Sequence, residues 1–97
     1  MTDPATASAL PVADQIAARL TAALAPTRLE VANESAMHHG HLGDDGTGES
    51  HFRVTIEAPA FSGVSRVGRQ RLVNQALADL LRDRIHALAI SARAPGE

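Results

Sequence analysis

Apolar residues change their spacing along this chain, and that change limits the folds open to it. Every fourth residue from Ile16 to Leu24 is isoleucine or leucine, which is the spacing of one face of an amphipathic helix. Phe52, Val54 and Ile56 instead alternate with polar residues, which is the spacing of a strand with one buried face. The chain therefore predicts a domain that combines helices with a sheet.

The same patterns, followed along the chain, predict five elements in the order α-β-β-α-β. Pro26 and Pro59 lie where the first helix and the second strand are expected to end, because proline interrupts both structures. Gly68 costs the second helix about 1 kcal/mol relative to alanine, so its first turn is expected to be irregular. The elements are a helix over about residues 13–25, strands about residues 29–31 and 52–56, a helix over about residues 66–84 and a strand about residues 88–90.

The connections between the strands predict how they pair. The first two strands are joined by a loop and can pair antiparallel, whereas the second and third are joined through a helix, so a right-handed crossover makes them parallel. The predicted fold class is α+β, with a three-stranded mixed sheet and both helices on one face. The other face, or an edge of the sheet, is then open to a partner.

The length and the apolar content predict one small domain. Ninety-seven residues suffice for a single modest core, and we expect residues 11–97 to form it. Residues 1–10 are small and polar and are expected to be disordered. With Phe52 and Phe61 the only aromatic residues, aliphatic side chains must fill most of the core, and Phe61 is expected to anchor the turn over it.

The composition also limits the compartment and the chemistry. No apolar run approaches the roughly 18 residues that span a bilayer. The first ten residues lack a basic region and carry Asp3, unlike a signal peptide. The absence of cysteine excludes disulfides and thiolate chemistry from this chain. These features predict a cytoplasmic protein that does not contact a membrane.

The charged residues leave nucleic-acid binding open without requiring it. The net charge is −2 and all nine basic residues are arginine, which argues against a protein that coats nucleic acid by charge alone. Arg66, Arg69 and Arg71 nevertheless cluster at the start of the second helix. They are candidate phosphate contacts, and the alternative is a solvated helix face.

The segment between the first two strands is the strongest candidate for a site. Residues 34–49 contain four glycines and almost no residue to bury, and long loops of this kind often carry function. Four of the five histidines lie within fourteen residues, and neutral imidazole is the commonest metal ligand near pH 7. A merely solvated loop is the alternative. The four histidines are His38, His39, His41 and His51.

Catalytic machinery is missing from the pattern. Ser35 and Ser50 each follow a glutamate and lie near histidines, as a hydrolase would require. No motif supplies the strained nucleophile turn or the oxyanion hole that such chemistry needs. We therefore expect a protein that is not an enzyme and acts by binding.

Five short segments, in order and at consistent spacing, resemble the BolA family. The resemblance covers about residues 13–95 and implies a class II KH-like fold, in agreement with the order of elements above. It departs from the family where the usual Arg-His-Arg of the second helix is replaced by Arg69-Gln70-Arg71. The segments are residues 29–35 (LEVANES), 49–54 (ESHFRV), 61–63 (FSG), 69–74 (RQRLVN) and 85–90 (IHALAI).

The resemblance implies two functions. One is an adaptor that pairs with a monothiol glutaredoxin and shares a [2Fe–2S] cluster with it and with glutathione, in iron–sulfur homeostasis and the stress response. The other is a DNA-binding transcriptional regulator. For the chain alone, the expectation is a monomer or weak dimer that holds no cluster.

The resemblance also implies which histidines bind the cluster. The family uses the histidine of the His-Ala-Leu segment, which is His86 here, together with a cysteine or histidine from the loop between the first two strands. Because this chain has no cysteine, it resembles the histidine-type subgroup. His38, in the Glu-Ser-x-x-His pattern, is the leading match for the loop ligand, and His41 is the alternative.

Overall fold

The computed structural model describes residues 10–34 and 50–97, which form three α-helices and three strands. The order confirms the predicted α-β-β-α-β arrangement. The expected disordered segment and the histidine-bearing loop lie, except for residues 10 and 34, outside the described residues. The elements are α1 (Val12–Leu24), β1 (Arg28–Asn33), β2 (His51–Glu57), a 3-10 helix (Pro59–Phe61), α2 (Arg66–Ala76), α3 (Ala78–Asp83) and β3 (Ala87–Arg93).

The sheet is mixed, with β2 in the centre. β1 pairs with β2 antiparallel, and Val31 lies opposite Val54. β3 pairs with β2 on the other side in parallel, and Ile90 lies opposite Val54. Both pairings are as predicted, and the helices α2 and α3 carry the chain from β2 back to the start of β3, as the parallel pairing requires.

The core lies between the helices and one face of the sheet. Along β2, Phe52, Val54 and Ile56 are buried, while Arg53 and Thr55 are exposed on the opposite face. The apolar faces predicted for the helices are buried in this core, and so is Phe61, as predicted. The buried apolar residues are Val12, Ile16, Leu20, Phe52, Val54, Ile56, Ala58, Phe61, Val73, Leu77, Leu80, Ile85 and Ala94.

The segment predicted as one helix over residues 66–84 is interrupted, and in this respect the prediction was wrong. Leu77 separates α2 from α3 with φ −108° and ψ 13°, and its N–H is shared between carbonyl oxygens of the preceding turn. Its side chain is fully buried in the core. Ile85, which follows α3, is also part of the core.

The start of α2 is regular, contrary to the expectation from Gly68. Ser65 caps the helix, because its hydroxyl oxygen accepts the N–H of Gly68 at 3.0 Å. A side chain at position 68 would also collide with its surroundings, since a Cβ there would lie 2.8 Å from Cγ1 of Val64. Glycine therefore allows the chain before the helix to approach its first turn.

Side chains of α2 reach the outer side of β3. The N–H of Ala87 donates to the carbonyl oxygen of Ser50, just before β2, and the carbonyl oxygen of Arg93 accepts the N–H of Ala58, just after β2. Residues 88, 90 and 92 alternate with these along β3, so their backbone N–H and C=O groups point away from β2. Gln70 donates to the carbonyl oxygen of Ile90 at 3.3 Å. Arg69 donates to that of Ala92 at 3.4 Å.

Candidate functional site

Two histidines meet at one end of the sheet. β2 and β3 are parallel and start side by side, with His51 opposite Ala87. His86 precedes β3, and its N–H donates to the carbonyl oxygen of Ser50 at 2.7 Å. This pairing places the ring centres of His51 and His86 5.5 Å apart, with their planes inclined at 49°.

The two imidazoles differ in their surroundings. His51 is 7% exposed and directly follows the fully buried Ser50. The distance between Oγ of Ser50 and Nδ1 of His51 is 2.9 Å, which is a hydrogen bond. His86 is exposed, so one ring is held by the protein and the other faces solvent.

This arrangement suits binding to a transition metal. Two imidazoles that share one ion, with metal–nitrogen bonds of about 2 Å, have ring centres roughly 5 Å apart, which is close to the separation observed. A hydrogen bond to the second ring nitrogen is the usual way in which a protein orients a histidine ligand, and Ser50 meets that requirement at His51. Within residues 10–34 and 50–97, no group of three or more metal-binding side chains is found, so any such site would need further ligands from outside these ranges.

The predicted metal-binding residues are located as follows. His86 lies immediately before β3, close to its expected position. His38 and His41 lie outside the described residues, so their assignment as loop ligands stays a prediction. His51 was not among the predicted ligands, and the structure shows that it is the histidine beside His86. The parallel pairing of β2 with β3, which the sequence predicted, was the signal for this contact.

The three predicted phosphate-binding arginines are not equivalent. Arg66 and Arg71 are exposed on α2. The Arg69 side chain is only 13% exposed and forms a two-fold ion pair with Glu97 at N–O distances of 2.5 and 2.6 Å. It also donates to the carbonyl oxygen of Val64 at 2.9 Å. Arg69 is therefore part of the folded structure as well as a candidate ligand-binding residue.

Glu97 is held by more than Arg69. Its carboxylate also accepts the N–H of Ala94 at 2.9 Å, across a turn in which Gly96 has φ +88°. The hydrogen bonds from Arg69 and Ala94 lower the pKa of Glu97 from its ordinary value of 4.5 to about 2. The pair was not predicted, because the turn that brings Glu97 back toward α2 lies beyond the last strand.

Comparison with known proteins points to one family. The family model described as BolA-like protein matches residues 20–97. A protein of a Sinorhizobium species, uncharacterized and from the cobS 5′ region, is 52% identical over 85 residues, which is 87% of this chain and 91% of that protein. The DNA-binding transcriptional regulator BolA of Vibrio cholerae is 47% identical over 79 residues, or 81% of this chain and 71% of that protein. The mouse BolA-like protein 1 is 44% identical over 94% of this chain and 64% of its own length.

Solved structures agree with the sequence comparison. BolA1 from Arabidopsis thaliana has a TM-score of 0.76 and 35% identity, over 86% of this chain and 90% of that one. The BolA domain of SufE1 from the same plant has a TM-score of 0.78 and 39% identity, over 87% and 92% of the two chains.

Among the described residues, no helix is long and apolar enough to cross a membrane.

Proposed function

This chain belongs to the BolA-like protein family, and on that premise we propose that it is a non-enzymatic adaptor for iron–sulfur homeostasis and the stress response. It binds a monothiol glutaredoxin and shares a [2Fe–2S] cluster with it and with glutathione. The observation that carries the proposal is the pair of imidazoles, His51 and His86, at the shared start of β2 and β3.

The donor set fits half of such a cluster. One iron needs two protein ligands, and the two neighbouring imidazoles provide them on one side of the chain. The second iron would be held by a cysteine of the glutaredoxin and the thiol of glutathione. Replacing thiolates by neutral histidines raises the potential of a [2Fe–2S] cluster, as in Rieske centres.

The structure adds His51 to the candidates for the second cluster ligand. His86 is the first ligand under either alternative. His51 is oriented by Ser50 and lies beside His86, which supports it as the second ligand, while His38 and His41 remain candidates from the loop. Neither possibility needs a catalytic residue of this chain.

The test is the visible spectrum of the chain purified together with a monothiol glutaredoxin and glutathione. We expect the mixture, and not the isolated chain, to hold the cluster, because two histidines alone do not complete it. A stable [2Fe–2S] spectrum from the isolated chain would contradict the shared site.

Single variants then identify the ligands. His86→Ala should abolish or strongly shift the spectrum while the heterodimer still forms, as checked by size-exclusion chromatography. His51→Ala should do the same if His51 is the second ligand, and the double variant of His38 and His41 should do so if the loop supplies it. His39→Ala is the matched control and should leave the spectrum unchanged. An unaltered spectrum for His86→Ala in an intact heterodimer would make that histidine structural.

A second candidate function is DNA binding. The Vibrio relative is named a DNA-binding transcriptional regulator, and Arg66 and Arg71 are exposed on α2. Fluorescence anisotropy with labelled duplex DNA at two salt concentrations tests it. The double variant Arg66→Ala, Arg71→Ala should weaken binding and flatten the salt dependence, by about 0.9 in log–log slope for each phosphate that the protein no longer neutralises. Binding that is indifferent to this variant would remove the candidate.

A further inference from the structure

A groove lies between the first half of α2 and the outer side of β3. Its volume is about 330 Å³, and residues of α2, of β3 and Glu97 line it. Arg66 and Arg93 line it from the two sides, and neither forms an ion pair with any residue in the ranges 10–34 and 50–97. We refer to it as the α2–β3 groove.

The groove is positively charged on a protein whose net charge is negative. Arg66 and Arg93 contribute two positive charges to the lining, and Glu97 contributes one negative charge, which is paired with Arg69 and also interacts with Arg93. The molecule as a whole has a formal charge of −2. With Arg69 included, three arginines and one carboxylate leave an excess of positive charge at the groove.

The hydrogen-bonding groups of the groove select the kind of ligand. Guanidinium groups only donate, and the carbonyl oxygens of Ile90 and Ala92 already accept bonds from Gln70 and Arg69. A peptide strand would bring N–H groups that need acceptors, and each of these two carbonyls already accepts one hydrogen bond. A phosphodiester backbone brings acceptor oxygens and negative charge, which suits paired arginines.

Glu97 is paired with Arg69, the third arginine near the groove. Its carboxylate accepts hydrogen bonds from both terminal nitrogens of Arg69, in the forked geometry by which arginine also binds phosphate. The low pKa of Glu97 means that the carboxylate stays ionised at neutral pH. A ligand must therefore displace the Glu97 carboxylate from Arg69, because protonation does not release it at neutral pH.

We propose that the α2–β3 groove binds the phosphate backbone of nucleic acid through Arg66 and Arg93, and that Glu97 is an internal competitor that withholds Arg69 from the ligand. The inference rests on the second candidate function, DNA binding. It adds Arg93 as a phosphate contact and a carboxylate that limits affinity.

Anisotropy titrations of a labelled duplex over a range of salt concentrations test the proposal. Glu97→Gln should tighten binding several-fold and steepen the log–log salt slope by about 0.9, because one more arginine becomes available to a phosphate. Asp14→Asn is the matched control, since it removes one negative charge from an exposed position on α1 that does not line the groove. It should change the affinity slightly and leave the slope as in the wild type. Circular dichroism confirms that each variant is folded.

The variant Arg93→Ala tests whether DNA binds in the groove or only on the exposed surface of α2. It should weaken binding in both the wild-type and the Glu97→Gln backgrounds. DNA binding that is abolished by Arg66→Ala, Arg71→Ala but unchanged in Arg93→Ala would overturn the groove and leave the DNA-binding function standing. Equal affinity and slope for Glu97→Gln and Asp14→Asn would overturn the role of Glu97. Equal binding of poly-glutamate and DNA would assign the groove to acidic protein partners, and no binding to either would overturn both proposals.

Discussion

Ser50 and His51 are the two buried polar residues within the ranges 10–34 and 50–97. A buried hydroxyl and a buried imidazole are each costly unless they are hydrogen-bonded, and the 2.9 Å contact between them supplies that bond. The carbonyl of Ser50 also accepts the N–H of His86. One serine thus orients one ring by its side chain and positions the other by its backbone.

Replacing this serine should destabilise the fold. Ser50→Ala removes one partner of a buried hydrogen bond, which costs about 1 kcal/mol and up to about 3 where the remaining group is left unpaired. Urea denaturation followed by circular dichroism measures the loss. Ser91→Ala, at an exposed position of β3, is the control and should stay within about 0.5 kcal/mol of the wild type. Equal losses for the two variants would mean that the hydrogen bond contributes no stability.

The histidine pair shows which parts of the candidate site could be predicted from the sequence. The position of His86 before the last strand followed from the segment IHALAI, and the parallel pairing followed from the helical crossover. His51 was missed because the family resemblance assigned the second ligand to the loop, as His38 or His41, whereas the contact of His51 with His86 depends on the register between two strands. The alternation of β2 places His51 on the face opposite the core, so its burial was not predicted from the pattern either.

At the scale of the elements, hydrophobic periodicity predicted the helices and strands but not their irregularities. The predicted end of α1 at Pro26 is confirmed, and Ala25 adopts the left-handed conformation with φ 46° just before it. The break at Leu77 left no mark in the pattern, because Val73, Leu77 and Leu80 keep helical spacing across it. At the regular start of α2, Ser65 accepts one local hydrogen bond from the N–H of Gly68, and the usual contribution of such a cap, about 1 kcal/mol, is as large as the cost of a glycine in a helix.

The cap at Ser65 can be tested directly. Ser65→Ala removes the acceptor for the N–H of Gly68 and should lower the free energy of unfolding by about 1 kcal/mol, the usual cost of losing an N-cap. Ser65→Asn should retain most of the stability, since asparagine caps helices about as well as serine. Thermal or urea denaturation of the three proteins gives the comparison. A stability of the alanine variant equal to that of the wild type would show that the cap is dispensable.

For the whole molecule, the ion pairs predict how stability depends on pH. Arg69 and the N–H of Ala94 hold the pKa of Glu97 at about 2, and the neighbouring Arg82 lowers the pKa of Asp83. A carboxyl whose pKa is lower in the folded than in the unfolded chain stabilises the fold while it is ionised. The contribution of Glu97 is therefore complete above about pH 4.5 and is lost as the pH falls toward 2.

A double-mutant cycle of Glu97→Gln and Arg69→Gln isolates this contribution. The coupling between the two residues should be present at pH 7, decline below pH 4.5 and disappear as the pH falls below about 2, since protonated Glu97 no longer pairs with Arg69. Urea unfolding at several pH values measures it. Asp83 is intact in all four proteins, so its own acid response cancels. A coupling that does not change with pH would exclude the ionised pair as its source.

The hydrogen bonds from Gln70 and Arg69 to β3 also bear on solubility. Natural proteins often keep the outermost strand of a sheet from recruiting other chains with lysine or proline, but β3 has neither and the whole chain lacks lysine. Here two side chains of a neighbouring helix take the carbonyl oxygens of Ile90 and Ala92 that an incoming strand would need. We therefore expect resistance to aggregation through this strand to depend on residues outside it, so that a substitution on the surface of α2 changes the solubility of the protein while leaving every residue of the sheet unaltered.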